Sequence, residues 1–261
     1  MAKSTLLTAF AILVYIFMYV PILVLIVYSF DDSRLAVEWT GFTTKWYQTL
    51  AGDESIFLAL KNSLIVATSA VLVSTIMGTM AAVGLAKAKF AGKSVVSGLI
   101  ILPIIVPEIA MAVSALILFI AMGVSLGLAS VIVAHIIFCL SYVALTVMAR
   151  LEGMNPHLNE AALDLGASPW QAFYKVTLPL IAPGILSGAL LAFVLSLDDF
   201  VITQFTAGVG ATTLPLRIYS MVKFGVSPEI NALSTLMLLV TICVTVVAEV
   251  IRQKGYAKTA A

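Results

Sequence analysis

Asp198 and Asp199 stand side by side in the run Leu195-Ser196-Leu197-Asp198-Asp199-Phe200-Val201, and Glu108 follows Pro107 in a similarly apolar stretch. A carboxylate at membrane depth costs about 2.5–3.5 kcal/mol on insertion scales, so such groups face a cavity or an opposite charge. No basic residue lies within helical reach of the Asp pair. Two adjacent carboxylates raise each other's proton affinity unless a cation arrives. Neighbours on a helix diverge by about 100°, so both enter one small pocket only if the helix unwinds. One can then meet a cation while the other caps backbone or meets a partner chain. Ser196, one turn from Asp199, can donate or accept a hydrogen bond.

Pro103 and Pro107 remove backbone donors beside Glu108, and a broken helix at membrane depth commonly lines a cavity. The alternative is a carboxylate satisfied by exposed backbone or water. Trp46, Tyr219 and Phe200 could each hold an amine over a ring face, with packing or interface anchoring an equal alternative. Glu249 sits three residues before Arg252, and an i, i+3 ion pair accounts for it. His135 reads as a satisfied intramembrane polar residue. No His/Cys cluster supports a metal site, and no nucleophile–base set supports an active site.

The elements that must position these groups are membrane helices. Of 261 residues, 62% are hydrophobic and 10% charged, against roughly 25% charged in a soluble domain; mean hydropathy is +1.13. This excludes a soluble enzyme, a nucleic-acid-binding module and a disordered chain. A span needs roughly 20 apolar residues. Six are legible, near 6–30, 63–86, 94–122, 128–149, 180–207 and 231–251, within one transmembrane domain over 1–261. The first reads as a retained helix rather than a signal peptide, because no small-residue cleavage pattern follows it. Cys139 and Cys243 lie in apolar runs and pack as small side chains. Gly184 and Gly188 form a GxxxG suited to close helix approach.

Orientation follows from the fourteen Lys and Arg residues. With the N-terminus inside, Lys3, Lys87, Lys89, Lys93, Arg150, Lys175, Arg252, Lys254 and Lys258 are cytoplasmic. Arg34, Lys45, Lys61, Arg217 and Lys223 are outside. The excess predicts both termini in the cytoplasm. The outer segment from Asp31 to Asn62 carries Trp39, Trp46 and Tyr47, with interface anchoring favoured for Trp39. The segment from Gly208 to Pro228 is expected to dip back toward the protein. Gly92-Lys93-Ser94 imitates the end of a phosphate loop, but Lys87 occupies the first glycine position and no strand precedes it. This chain is not expected to bind ATP.

The cytoplasmic stretch 150–179 reads as two short helices. Asn155 caps the first with Pro156 at its first position. Leu158, Ala161, Ala162 and Leu165 give that helix an apolar face, and Gly166 suits its left-handed C′ position. Ser168-Pro169-Trp170-Gln171 is a capping box that starts the second, which should run to about Val176. Pro179 marks entry to the fifth span. The face is small and carries Glu160 and Asp164, which favours a groove on a soluble partner over a lipid surface.

Glu160-Ala161-Ala162, Gly166 and Leu178-Pro179 resemble the EAA loop of ABC importer permeases, with Val176 where that pattern prefers Ile. The resemblance extends over nearly the whole chain and is closest to spermidine/putrescine permeases. It is carried by 41–47, 160–166, 195–199, 219–223 and 225–233. It implies the type I ABC importer permease fold, all-α and integral to the bacterial inner membrane, with a coupling helix between helices 4 and 5. Glu160, Ala161, Ala162, Asp164 and Gly166 would then couple to a cytoplasmic ATPase. The implied partners are a homologous second permease, two ATPase copies holding the ATP and Mg, and an external polyamine-binding protein. The chain itself would need no cofactor, metal or nucleic acid. A polyamine is a flexible cation suited to a pathway lined by Asp198, Asp199, Glu108, Ser196, Trp46 and Tyr219. Another cationic or small organic solute in the same family is the nearest alternative. An ion-driven secondary carrier is a further one, though the EAA loop has no purpose there. A membrane enzyme lacks its catalytic set.

Overall fold

The computed structural model describes residues 2–33, 38–155, 157–223, 225 and 227–259. Side chains are described from Leu7 to Val250, apart from Ala248 and the gaps between those ranges. Among the described residues the chain is helical with no strand: α1 (Ala2–Tyr28), α2 (Lys45–Gly52), α3 (Glu54–Lys87), α4 (Lys93–Ile105), α5 (Glu108–Ala121), α6 (Leu128–Glu152), α7 (His157–Asp164), α8 (Pro169–Ala172), α9 (Leu178–Asp198), α10 (Val201–Thr206), α11 (Leu214–Val222) and α12 (Pro228–Thr259). The contacts group into two compact units, 1–58 with 217–241 and 59–216 with 242–261.

Among the described residues, five helical stretches are long and apolar enough to cross a membrane: Leu7–Tyr28, Glu54–Lys87, Leu128–Glu152, Pro169–Asp198 and Pro228–Val247. The expected third span is not one helix. It is the pair α4 and α5, bent by 109°, and makes a sixth crossing only if both halves count together. Pro107 has no N–H and forces Val106 into extended backbone (φ −69°, ψ 134°).

The expected fifth span also stops early. α9 ends at Asp198, Asp199 is extended, and a separate α10 follows. At its other end, α8 does not terminate near Val176. It passes through one π-turn, Phe173–Thr177, directly into α9. Pro179 cannot donate to the carbonyl of Lys175, and its ring crowds that carbonyl, so the backbone widens there instead of breaking.

The larger unit holds the core, where Ala134, Phe138, Cys139, Val143 and Val147 of α6 pack with Ile181, Ala192 and Ile202. The GxxxG works as expected. A Cβ on Gly184 would lie 2.8 Å from Arg150 Cβ, and one on Gly188 would lie 3.1 Å from Val143 Cα. α6 and α9 therefore pack backbone to backbone. Arg150 Nε donates to Leu180 O at 3.0 Å across the same contact. Asn62 donates to the carbonyls of Gly210 and Thr212 and Ser63 Oγ accepts from Leu214 N, so the segment after Gly208 does fold back onto α3.

In the smaller unit, Asp31 organises the outer segment. Its buried carboxylate accepts from Ser33 Oγ (2.5 Å), Thr40 N (2.8 Å) and Thr40 Oγ1 (3.2 Å), and its carbonyl from Trp46 Nε1 (2.7 Å). Burial alone would push this carboxyl up. The hydrogen bonds from Ser33 and Thr40 win and hold it at about 2. Trp39 meets Tyr28 edge to face at 6.3 Å, and Asp53 pairs with Arg217 at 3.9 Å.

Candidate functional site

The site is built on the break between α9 and α10. Asp199 (φ −64°, ψ 125°) turns its carboxylate onto the start of α10. Oδ1 accepts from Ile202 N at 3.2 Å, and Oδ2 from Thr203 N at 2.9 Å and Thr203 Oγ1 at 2.8 Å. A short acidic side chain competes in this way for the backbone donors of a helix start, so an Asp ends one helix and caps the next without proline.

The break sends the two neighbours in different directions. Asp199 is 6% exposed, while Asp198 is exposed. Glu108, the first residue of α5, is exposed as well, where a negative charge suits the helix N-terminus. α10 packs against α5 and α6. Glu108 interacts with both Asp198 and Asp199, and those two with each other. Ser196 is buried and bonded to His135, Oγ to Nδ1 at 2.8 Å. Four of the predicted pathway residues thus converge in one unit.

Trp46 and Tyr219 belong to the other unit. Trp46 is half-buried, with Lys45 Nζ 4.7 Å from its ring centre. Lys223 Nζ stands 4.8 Å from the ring of Tyr219. In both cases the ammonium group at the ring belongs to a lysine of the chain itself.

His135 is fully buried and contacts Asp199 as well as Ser196: its Nε2 lies 3.1 Å from Asp199 Oδ2 and 3.1 Å from Thr203 Oγ1. The sequence marks it as a satisfied polar residue but not as the partner of the Asp pair, since 64 positions separate them. A lone imidazole in an apolar span is the signal available. Among the described residues no group of three His, Cys, Asp or Glu is placed to hold a metal ion. The Arg252 side chain lies outside the described residues, so the expected pairing with Glu249 does too.

The 150–179 loop forms its two short helices. Asn155 Oδ1 accepts from His157 N at 3.0 Å; Pro156 lies outside the described residues. Gly166 takes φ +86°, with Ala167 N bonded to Ala162 O and Gly166 N to Leu163 O, the two bonds of a Schellman end. Ser168 and Gln171 form the reciprocal capping box. No residue of α7 is buried. Glu160, Ala161, Asp164 and Gly166 are exposed and Ala162 is half-buried, while Leu165 and Trp170 are 89% and 70% exposed. These apolar side chains are open to the surroundings, Trp170 with one ring contact at 5.7 Å to Phe173. Lys87 Nζ contacts Thr177 Oγ1 at 3.4 Å and stands 5.7 Å from the ring of Phe173.

Residues 74–254 match the family described as binding-protein-dependent transport system inner membrane component. The spermidine/putrescine transport system permease protein PotC of Haemophilus influenzae is 41% identical over 255 residues, covering 98% of this chain and 99% of that one. PotC of Escherichia coli K12 is 43% identical over 238 residues, 91% and 90% of the two chains. The putrescine transport system permease protein PotI of the same strain is 43% identical over 229 residues, 85% and 82%. Among solved structures, a bacterial ABC transporter that imports alginate matches with a TM-score of 0.79 over 97% of this chain and 95% of that one, at 18% identity. The fold is that of type I ABC importer permeases.

Proposed function

The chain belongs to the family of inner-membrane components of binding-protein-dependent transport systems, and on that premise we propose that it is a permease subunit of an ATP-driven polyamine importer. The observation that carries the reading is the exposed pair Asp198 and Glu108, each at a helix break and each interacting with the anchored Asp199. Amines at the ends of a flexible apolar stem match separated carboxylates in a low-dielectric passage. The relatives named for spermidine and putrescine transport support the same substrate class.

ATP hydrolysis belongs to a separate subunit. The chain works as one permease domain over 1–261, with a homologous second permease, two ATPase copies and an external polyamine-binding protein. The 150–179 loop faces the cytoplasm, as do both termini. When ATP closes the ATPases, the helix around Glu160–Gly166 moves with them and the permease pair opens outward. Substrate then leaves its receptor and passes Asp198 and Glu108, with Ser196 and Asp199 supporting the break.

Uptake of labelled spermidine and putrescine by the complete complex in vesicles tests this. Asp198→Asn and Glu108→Gln should each raise KM about tenfold, since a charged hydrogen bond contributes roughly 1.5–3 kcal/mol. Asp199→Asn should also lower uptake, by loosening the break. Unchanged kinetics in all three would remove the pathway assignment. Uptake by this chain without an ATPase would point to a self-sufficient carrier.

A further inference from the structure

Resting on that polyamine-pathway reading, we propose that His135 is a positioning residue for transport: its ring clamps the α9–α10 break and so sets where Asp198 meets the passing cation. His135 is one of two histidines in the chain and is fully buried. Its Nδ1 holds Ser196 Oγ, in the last turn of α9, at 2.8 Å. Its Nε2 reaches Asp199 Oδ2, in the linker, and Thr203 Oγ1, in the first turn of α10, each at 3.1 Å. A single ring thus ties both helices and Asp199 between them to α6.

The chemistry gives the clamp a direction. The Asp199 carboxylate also accepts from Thr203 Oγ1 and two backbone amides, so it serves as an acceptor and Nε2 carries the proton. Nε2–H is then shared between Asp199 and the Thr203 hydroxyl. The ring sits on α6, between buried Ala134 and Phe138 of the core. A side chain locked by its surroundings can hold a neighbouring group to a few tenths of an ångström. Asp198 is covalently next to Asp199, and Glu108 interacts with both. Losing the clamp frees the extended link at Asp199 and spoils the register of the two exposed carboxylates.

The test uses the complete complex in vesicles, with uptake normalised to assembled complex. Gln at position 135 can carry an amide N–H toward Asp199, whereas Asn is too short and reaches only toward Ser196. We expect His135→Asn to raise the polyamine KM about tenfold, the scale of one charge-assisted hydrogen bond. Its kcat per complex should stay within about twofold, and His135→Gln should restore KM to within about threefold of the parent. Should either His135 variant assemble poorly, Thr203→Val decides: it keeps the side-chain shape, removes the shared hydroxyl, and should raise KM in the same sense. Lower abundance or kcat with unchanged KM in the assembled variants would mean packing alone and overturn the proposal. Asp198→Asn separates the two readings. A KM that rises for Asp198→Asn but not for His135→Asn or Thr203→Val removes only the role of His135. A KM unchanged in all of them removes the pathway reading and the clamp together.

Discussion

Gly208 offers the sharpest test of the packing that supports the site, because its replacement has a calculable consequence. It lies two residues beyond α10, against the short connection between α5 and α6. A Cβ built there would stand 2.0 Å from Leu126 O, 2.4 Å from Leu126 C and 3.0 Å from Gly127 N, all backbone atoms that cannot swing aside. A carbon bearing hydrogen approaches a carbonyl oxygen to about 3.3 Å, so Gly208→Ala must drive the two segments apart by roughly 1.3 Å. Ser130 Oγ bonds Thr206 O at 2.8 Å across the same contact. That bond would stretch to about 4 Å, beyond hydrogen-bonding range. Overpacking costs about 1–3 kcal/mol, and an orphaned buried polar group about 1–3 kcal/mol more. The sum, about 2–6 kcal/mol, should lower the thermal midpoint of the purified complex by about 5 °C or more. It should also reduce uptake, because α10 carries Thr203 and the cap on Asp199. Gly210→Ala is the control. Gly210 has φ +80° with open space around it, so only the left-handed strain of about 1–2 kcal/mol applies. A Gly208→Ala complex as stable as the parent, or a larger loss for Gly210→Ala, would refute the reasoning.

Asp31 gives a pH prediction. Its folded value of about 2 lies below the ordinary 3.8, so its stabilisation is complete above the unfolded value and fades as pH falls from about 4 toward 2. With Trp39 and Trp170 changed to Phe, fluorescence of Trp46, which bonds Asp31 O, should change in that window; Asp31→Asn should loosen the segment at neutral pH and flatten the acid response. Gly166→Val puts a β-branched side chain at φ +86°, strained by about 1–2 kcal/mol, and should undo the Schellman end of α7. Substrate-stimulated ATP hydrolysis by the assembled complex should fall well below the parent rate, and near-normal stimulation would count against α7 as the coupling element.

The devices that the sequence displays fully are the local ones. Gly166 had to be left-handed because the helix before it ends on an exposed loop, and Ser168 and Gln171 carry their capping box within four residues. Pro103 and Pro107 announce a break by missing donors, yet not its size; the 109° bend depends on what α5 packs against. Pro179 shows the limit more sharply. Its chemistry predicts an interruption, and the chain absorbs it in a π-turn because the helix is held on both sides.

By itself the sequence determined the solvent, the rough extent of the apolar segments, the two short helices of the 150–179 loop and the kinds of charge admitted to the membrane. These depend on composition and on spacings of a few residues, which fix local free energies directly. Which carboxylate stands open and which is buried was decided only by tertiary structure. Asp198 and Asp199 are equivalent as neighbours in the chain. They diverge because His135, on a different helix, and Thr203, beyond the break, reach one of them and leave the other facing outward. A hydrogen bond between residues 64 positions apart leaves no periodic trace, so the distinction emerges only when the helices pack.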